Sequence, residues 1–324
     1  MISVVIVSYN TRDILRQCLN ALFAHSSDVE MEVFVVDNDS RDGSPAMVRQ
    51  EFPQITLMAN GVNLGFAAAN NQAFALARGE FILLLNPDAF VKEGAIAKAL
   101  EFLRQTPLCG ICGGRIVDDE GRVRPSARRF PNVLAKFFAL SGLSSRYPES
   151  PVFNWRDFGG FAHDRVREVD WVPGTFTLLR RKMLAEIGNF DERFFMYYEE
   201  TDLCLRAKKA GWQVWFLPDA VVEHIGGASS QTRQDKAFDQ TSSQVVNFRV
   251  RSEYLYYRKH GGIVSVLANA GLELVWHQLR GAIKARSADP EAQAKSDHSR
   301  AVLRLVRQAL SDTQLGKTSP KIPW

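Results

Sequence analysis

Phosphate-cradling glycine fingerprints are missing from this 324-residue chain: neither G-x-G-x-x-G nor G-x-x-x-x-G-K-[ST] occurs. That counts against a Rossmann dinucleotide domain and a P-loop nucleotidase, both of which build their strand-to-helix turn from those glycines. Cysteine is scarce too. Cys18, Cys109, Cys112 and Cys204 are too few and too scattered for a disulfide framework, and the single C-x-x-C at 109–112 has no second pair or neighbouring histidine to complete a zinc site. Buried thiols in a reducing compartment are expected. No apolar run approaches the roughly 18 residues of a membrane span. The opening MISVVIVSYN lacks a basic leader and reads as a strand rather than a signal peptide, so the expected location is the cytoplasm. Charge of one sign is also lacking: 40 Lys plus Arg against 36 Asp plus Glu leave +4, too balanced to announce a nucleic-acid partner, and none is expected.

What is present is an ordinary globular composition, 46% apolar and 23% charged, enough for a sizeable core. At about 150 residues per domain, the length suggests two domains, or one large α/β domain with an appendage. Apolar runs alternate with helical patterns over the first hundred residues. Ile2 to Val7 reads as a buried strand; Thr11 to His25 as a helix with Ile14, Leu15, Cys18, Leu19, Leu22 and Phe23 on one face; Glu32 to Val36 as a second strand. Ser44 is read as an N-cap with Pro45 at the first helical position, Ala67 to Ala77 as a helix, and Phe81 to Leu85 as a further strand. This alternation predicts βαβ units and a parallel sheet, whose ligands bind outside the carboxyl ends of the strands.

The residues at those ends are acidic and amide-rich: Ser8-Tyr9-Asn10, Asp37-Asn38-Asp39-Ser40, and Asn86-Pro87-Asp88, with Asn63-Leu64-Gly65-Phe66 and Asn70-Asn71 between. Any one such turn is explained as readily by Asx-turn and capping chemistry; recurrence at successive strand ends favours a site. Arg122, Arg124, Arg128 and Arg129 share a proline-bounded stretch suited either to solvent or to anionic substrate. The run VDWVPGTFTLLRR reads as a strand interrupted by Pro-Gly. The densest constellation comes next, GNFDERFFMYYEETDLCLRAKKAGW, in which Glu199, Glu200 and Asp202 open a helix ending in Arg206, Lys208, Lys209 and Gly211. The helix dipole alone explains acids at that end. Yet carboxylates beside so much aromatic surface are candidates for raised pKa values and general-base work. Gln213 to Leu217 reads as a strand, Pro218 as a turn, and Ala220 to His224 as an apolar run whose terminal histidine would, alone, ordinarily be structural.

Taken together, SVVIVSYN, VVDNDSRDGS, NLGFAAANN, LLLNPD, VPGTFTLLRR, GNFDERFFMYYEETDLCLR and LPDAVVEH resemble the inverting family 2 glycosyltransferases of GT-A fold, and especially their rhamnosyltransferase branch, over about residues 1–230. The resemblance implies an α/β fold with a mostly parallel central sheet flanked by helices and a C-terminal helical extension. It implies that Ser8, Tyr9, Asn10, Asp37 and Asn38 hold the nucleotide, and that Asn63, Gly65 and Asn70 line the nucleotide-sugar cleft. The family's Asp-x-Asp metal motif falls on Asn86-Pro87-Asp88, where Asn86 offers an amide oxygen in place of a carboxylate. Asp88 then becomes the main ligand for Mg²⁺ or Mn²⁺, and His224 matches the position that completes the metal site in relatives. The catalytic carboxylate falls on Glu200, with Glu199 beside it and Asp202 as the alternative base. The implied donor is dTDP-L-rhamnose or a UDP-sugar; the implied acceptor is a polyprenyl-diphosphate-linked glycan or a growing polysaccharide, whose diphosphate the arginines would meet.

The charge is unevenly shared. Residues 245–324 hold 13 Lys plus Arg and 6 Asp plus Glu, leaving residues 1–244 mildly acidic. Ile263 to Leu279 and Arg300 to Leu310 read as amphipathic helices, either lying on the inner membrane face or packing on the catalytic domain or a second subunit. Ser287 to Asp297 and Thr313 to Trp324 read as mobile. The expected organisation is a catalytic domain over 1–235 and a basic helical extension over 245–324. Against the enzyme stand a degenerate glycan- or lipid-binding relative and, disfavoured by the missing glycine fingerprint, a nucleotide-dependent oxidoreductase.

Overall fold

A computed structural model describes residues 1–226 and 244–320. In chain order its elements are β1 (Ile2–Ser8), α1 (Arg12–Ala24), β2 (Met31–Asn38), α2 (Ser44–Glu51), β3 (Thr56–Asn60), α3 (Phe66–Phe74), β4 (Phe81–Leu85), β5 (Ala89–Val91), α4 (Ala95–Gln105), β6 (Cys109–Val117) and β7 (Val123–Arg124). After these come α5 (Val133–Leu140), α6 (Leu143–Arg146), a 3₁₀ turn at Trp155–Asp157, β8 (Arg167–Glu168), β9 (Phe176–Arg180), α7 (Arg181–Ile187), α8 (Glu199–Lys209), β10 (Gln213–His224), α9 (Gln244–Lys284) and α10 (Pro290–Asp312). The chain packs as two compact units. The first takes in 1–130, 161–192 and the described residues from 199; the second takes in 131–160, 193–198 and the described residues from 244. The expected boundary between 235 and 245 lies largely within 227–243, outside the described residues.

The first unit is an α/β sheet in the order β3-β2-β1-β4-β9-β6-β10-β5, with β7 and β8 paired at its side. β1, β2, β3 and β4 are mutually parallel. β9 runs against both β4 and β6, so β6, and β10 parallel to it, point the same way as β4. Six strands therefore share one direction while β9 and β5 oppose them. One edge collects the carboxyl ends of β1, β2, β4 and β10 and the start of β9. Helix α1 buries Leu15, Cys18, Leu19 and Leu22 against the β-branched strands, the i, i+3, i+4, i+7 pattern expected of a one-sided helix. All four cysteines are free and buried, and burial pushes the Cys204 thiol up to about 12, an inert state.

Four local expectations are corrected. The N-cap of α2 is Gly43, left-handed at φ 87°, and Ser44 lies inside the helix; Asp42 accepts from both the Ser44 amide (3.0 Å) and its hydroxyl (2.6 Å). The alanine-rich helix stops at Phe74, three residues early. Pro218 does not turn the chain: β10 is continuous through it, and the missing amide is absorbed by a register shift between Leu217 and Val221. Residues 169–172 lie outside the strands, held by the Val169 amide on the Val214 carbonyl (2.9 Å) and by a bridge from Trp171 to Arg128, and the strand begins at Phe176.

In the second unit α9 breaks at Gly262 (φ 67°), and α10 packs along it. Of the stretch read as mobile, Pro290 to Asp297 is helical, started by Pro290 at the first position and capped by Asp289; residues 321–324 lie outside the described set. The ammonium of Lys136 on α5 sits between Glu253 (2.9 Å) and Glu273 (2.8 Å) of α9, all three nearly buried. Burial would lower the Lys136 pKa, and the two carboxylates outweigh it and raise it. Among the described residues no helix is long and apolar enough to cross a membrane.

Candidate active site

The shared strand edge gathers the polar residues singled out in the sequence. Ser8 closes β1 and exchanges a 2.8 Å hydrogen bond with the Thr11 hydroxyl; Tyr9 comes next, half-buried. Asn10, left-handed at φ 51°, donates its amide to the Ser40 hydroxyl and accepts from the Arg41 amide at 2.7 Å, clasping the β1 and β2 turns together. Asp37, 1% exposed, takes the Ser40 amide on Oδ2, while Oδ1 has no hydrogen-bond partner. Burial pushes its carboxyl up, with Asp42 and Asp39 adding to the effect. Asn38 donates to the Gly65 carbonyl and accepts from Asn60.

That bond ties β2 to the turn before α3. Asn63 Oδ1 accepts from the Gly65 amide at 2.9 Å, an Asx turn that sets up the helix start. Gly65 has φ 83° and ψ 177°, a conformation essentially closed to other residues. Asn70 donates to the Phe66 carbonyl and leaves its buried Oδ1 unpartnered. Buried acceptors without partners are rare in folded proteins; here Asp37 and Asn70 both present one.

Asn86 leaves β4 with its amide on the Thr175 carbonyl (3.0 Å), at the start of β9. Two residues on, Asp88 is 3% exposed and its Oδ1 lies 3.1 Å from His224 Nε2. Antiparallel pairing of β5 with the end of β10, Ala89 opposite His224, creates this meeting. Donors bound cis on an octahedral cation at about 2.1 Å stand roughly 3.0 Å apart, so the carboxylate oxygen and the imidazole nitrogen fit two positions around Mg²⁺ or Mn²⁺. Among the described residues they form no cluster of three or more His, Cys, Asp or Glu; the donor set is one carboxylate, one imidazole and the neighbouring Asn86 amide.

Glu199, Glu200 and Asp202 open α8, and the structure separates their roles. Glu199 is 4% exposed; burial, then repulsion from Glu200, drives its carboxyl well above the ordinary range. Burial also raises Glu200, but less, because the Thr201 and Gly174 amides and the Glu199 carboxyl all hydrogen bond to it in its charged form. Glu199 is thus the member of the pair that holds a proton more tightly. One oxygen of each, Oε2, is buried without a partner. Gly174 and Thr175 link this pair to the metal motif, one through the Glu200 carboxylate and the other through the Asn86 amide. Asp202, fully buried, accepts from Arg206 Nε at 2.8 Å, while that guanidinium also binds the carbonyls of Ile187, Gly188 and Asn189. It holds the helix to the loop before it.

One of the four arginines stands out, and one further contributor, His163, escaped the sequence reading. Arg124 on β7 places Nη1 2.9 Å from where a Cβ on Gly226 would stand, and the His224 ring lies 3.8 Å from that same point. Arg124 thus stands beside His224, whereas Arg122 pairs with Asp118 and Glu120. His163, 2% exposed, accepts the Ser126 and Ala127 amides on Nε2 and so pins the arginine-bearing loop. Nothing in local sequence marks a histidine that acts 37 residues away.

The sequence profile of "Glycosyl transferase family 2" matches residues 3–188. N-acetylglucosaminyl-diphospho-decaprenol L-rhamnosyltransferase of Mycobacterium tuberculosis is 32% identical over 239 residues, covering 69% of this chain and 76% of that protein. Rhamnosyltransferase WbbL of Escherichia coli is 26% identical over 281 residues, 82% of this chain and 99% of that protein. Among solved structures, the mannosyltransferase PcManGT of Pyrobaculum calidifontis, in complex with GDP-Man and Mn²⁺, superposes with a TM-score of 0.53 at 15% identity, over 96% of this chain and 87% of that one. That likeness speaks for the GT-A fold alone.

Proposed function

The chain belongs to glycosyl transferase family 2, and we propose that within this family it is an inverting transferase moving L-rhamnose from dTDP-L-rhamnose to a hydroxyl of a polyprenyl-diphosphate-linked glycan at the inner membrane face. The observation that carries the chemistry is the connected edge itself: Asp88 with His224 at one end, and the Glu199–Glu200 pair at the other, joined through Thr175 and Gly174. The rhamnosyl donor and the lipid-linked acceptor draw their support from the names of the two curated relatives.

Glu200 is the general base. Its carboxylate takes the proton of the acceptor hydroxyl as that oxygen attacks the anomeric carbon, and the nucleoside diphosphate leaves from the opposite face. One displacement with no enzyme nucleophile gives inversion. Glu199 retains its own proton, donates to Glu200, and so fixes the orientation of the base. Asp88, His224 and the Asn86 amide would hold Mg²⁺ or Mn²⁺, which when bound offsets charge on the departing diphosphate. Ser8, Tyr9, Asn10, Asp37 and Asn38 face the nucleoside, with the bare Asp37 Oδ1 offered to a ligand N–H or O–H; Asn63, Gly65 and Asn70 line the sugar-nucleotide cleft.

The test is a thermal-shift and turnover panel of dTDP-rhamnose, UDP-sugars and GDP-sugars with and without Mn²⁺. Metal-dependent stabilisation by dTDP-rhamnose, followed by release of dTDP with a lipid-diphosphate glycan acceptor, supports the reading. Stabilisation by UDP-sugars only would reassign the donor, and no response to any donor would leave a degenerate binding relative.

A further inference from the structure

Residues 187–192, which leave the end of α7, are gripped from both sides within the first unit. From α3, Asn71 Oδ1 accepts the Phe190 amide at 3.1 Å, while its Nδ2 donates to the Phe190 carbonyl at 2.9 Å and to Glu192 Oε1 at 3.0 Å. From α8, Arg206 donates to the carbonyls of Ile187 (2.7 Å), Gly188 (3.0 Å) and Asn189 (2.7 Å), and Asp202 one turn earlier holds its Nε at 2.8 Å. A second route joins the same two helices. The Phe66 ring, in the first turn of α3, comes within 3.4 Å of where a Cβ on Gly174 would stand, and the Gly174 amide bonds the Glu200 carboxylate. The helix that carries Asn70 is thus linked to the helix that carries Glu200 twice, once through Gly174 and once through the gripped loop.

The two kinds of contact on Phe190 do different things. Its ring packs on Phe66 and Phe74 of α3, with centroids 6.2 and 5.6 Å apart. Apolar packing is non-directional, so it holds the loop close to α3 and leaves it free to slide or turn. An amide bonded to both the N–H and the C=O of one residue fixes that residue's rotation as well. Such precision matters at a reacting centre, where a displacement of about 1 Å costs on the order of 10²-fold in rate. We propose that Asn71 is a positioning residue for the transfer step: by fixing Phe190 it sets, through the loop that Arg206 holds, where α8 presents its first-turn carboxylates relative to the cleft carried by α3. This rests on the reading of Glu200 as the base. In this role Asn71 touches neither donor nor acceptor, and its loss falls on turnover and not on donor binding.

The experiment compares Asn71→Ala and Asn71→Asp with the wild-type full chain and with Ser3→Ala. Asn71→Asp keeps the acceptor for the Phe190 amide and sets a negative charge against the Phe190 carbonyl and Glu192. Ser3→Ala removes a clasp to Glu32 (2.6 Å) and the Gly79 amide (2.9 Å) at the far end of β1, a loss of stability that leaves the loop intact. Both Asn71 variants should lose about 10–100-fold in kcat while donor KM and dTDP affinity stay within about twofold, and Ser3→Ala should turn over like wild type below its Tm. Hydrogen exchange supplies a readout that needs no turnover: Asn71→Ala should exchange about tenfold faster at residues 189–192 and in the first turn of α8, with the β1 and β2 turns unchanged. An Asn71→Ala kcat within about twofold of wild type, a raised KM at unchanged kcat, a kcat loss shared by Ser3→Ala, or unchanged exchange in α8 each overturns the proposal. A fully active Glu200→Gln fails at the base itself and is thereby told apart from a failure of Asn71.

Discussion

Asp88 and His224, 136 positions apart in the chain, meet with Oδ1 and Nε2 3.1 Å apart because three residues of β5 pair with the last three of β10. That short antiparallel ladder sets a carboxylate oxygen beside an imidazole nitrogen, the two donors proposed to hold the cation. With an amide at Asn86 in place of a second carboxylate, the proposed site would lean more on the His224 imidazole. Asp88→Asn and His224→Ala should each abolish the Mn²⁺-dependent part of dTDP affinity in calorimetric titrations, a loss of at least about tenfold. Equal dTDP affinity with and without Mn²⁺ in the wild type would remove the metal from this pair.

Glu200→Gln should bind dTDP-rhamnose as wild type does and turn it over about 10²–10⁴-fold more slowly, the usual worth of a positioned base. The base must be ionised to work, and burial raises its pKa. Activity should therefore fall on the acid side at a pH above the ordinary glutamate value of about 4.3. A kcat profile flat down to that value would place the base elsewhere.

Much of this site was legible in the sequence because strand ends are: buried runs such as Ile2–Ser8 and Phe81–Leu85 announce themselves, and a parallel sheet brings the residues after each run to one edge. The order of the strands beyond β4 was not legible, since the reversal of β9 is set by long-range pairing and not by period. The partners that set Glu199, Glu200 and Asp202 apart were hidden for the same reason. It depends on Gly174 from one side and on Arg206 reaching back to residues 187–189 from the other. Pro218 misled because a proline inside a strand reads as a break, whereas a bulge accommodates it.

Arg124 extends from β7 to the backbone beside His224, and under the proposed function its exposed guanidinium would meet a diphosphate held at that pair. Arg124→Ala should weaken dTDP binding about tenfold or more while leaving thymidine binding and Tm unchanged, since an exposed side chain supports little packing. Calorimetry with both ligands separates the outcomes: equal losses for thymidine and dTDP would sink a phosphate role.

Lys136 neutralises Glu253 and Glu273 in the second unit, where the three side chains are 13%, 13% and 16% exposed. Lys136→Met leaves two nearly buried carboxylates without their cation and should cost about 3–5 kcal/mol in urea unfolding. Adding Glu253→Leu and Glu273→Leu should restore most of it. If the single variant melts like wild type, the triad is decorative.

Glu199 offers a stability test that does not depend on catalysis. Its folded-state pKa lies well above the unfolded value of about 4.3, so the folded chain binds this proton more tightly than the unfolded one does. The stabilising contribution is then fully present below pH about 4.3 and is lost as pH rises through the folded-state pKa, where the buried carboxyl must either ionise or hold its proton at a cost. Glutamine reproduces the protonated form at every pH and still donates to Glu200. Glu199→Gln should thus raise Tm relative to wild type at pH about 8, with the gain shrinking as pH falls toward about 4. A variant less stable than wild type at the alkaline end would mean that Glu199 is charged in the fold, and the assignment of the proton to Glu199 and of the base to Glu200 would have to be exchanged.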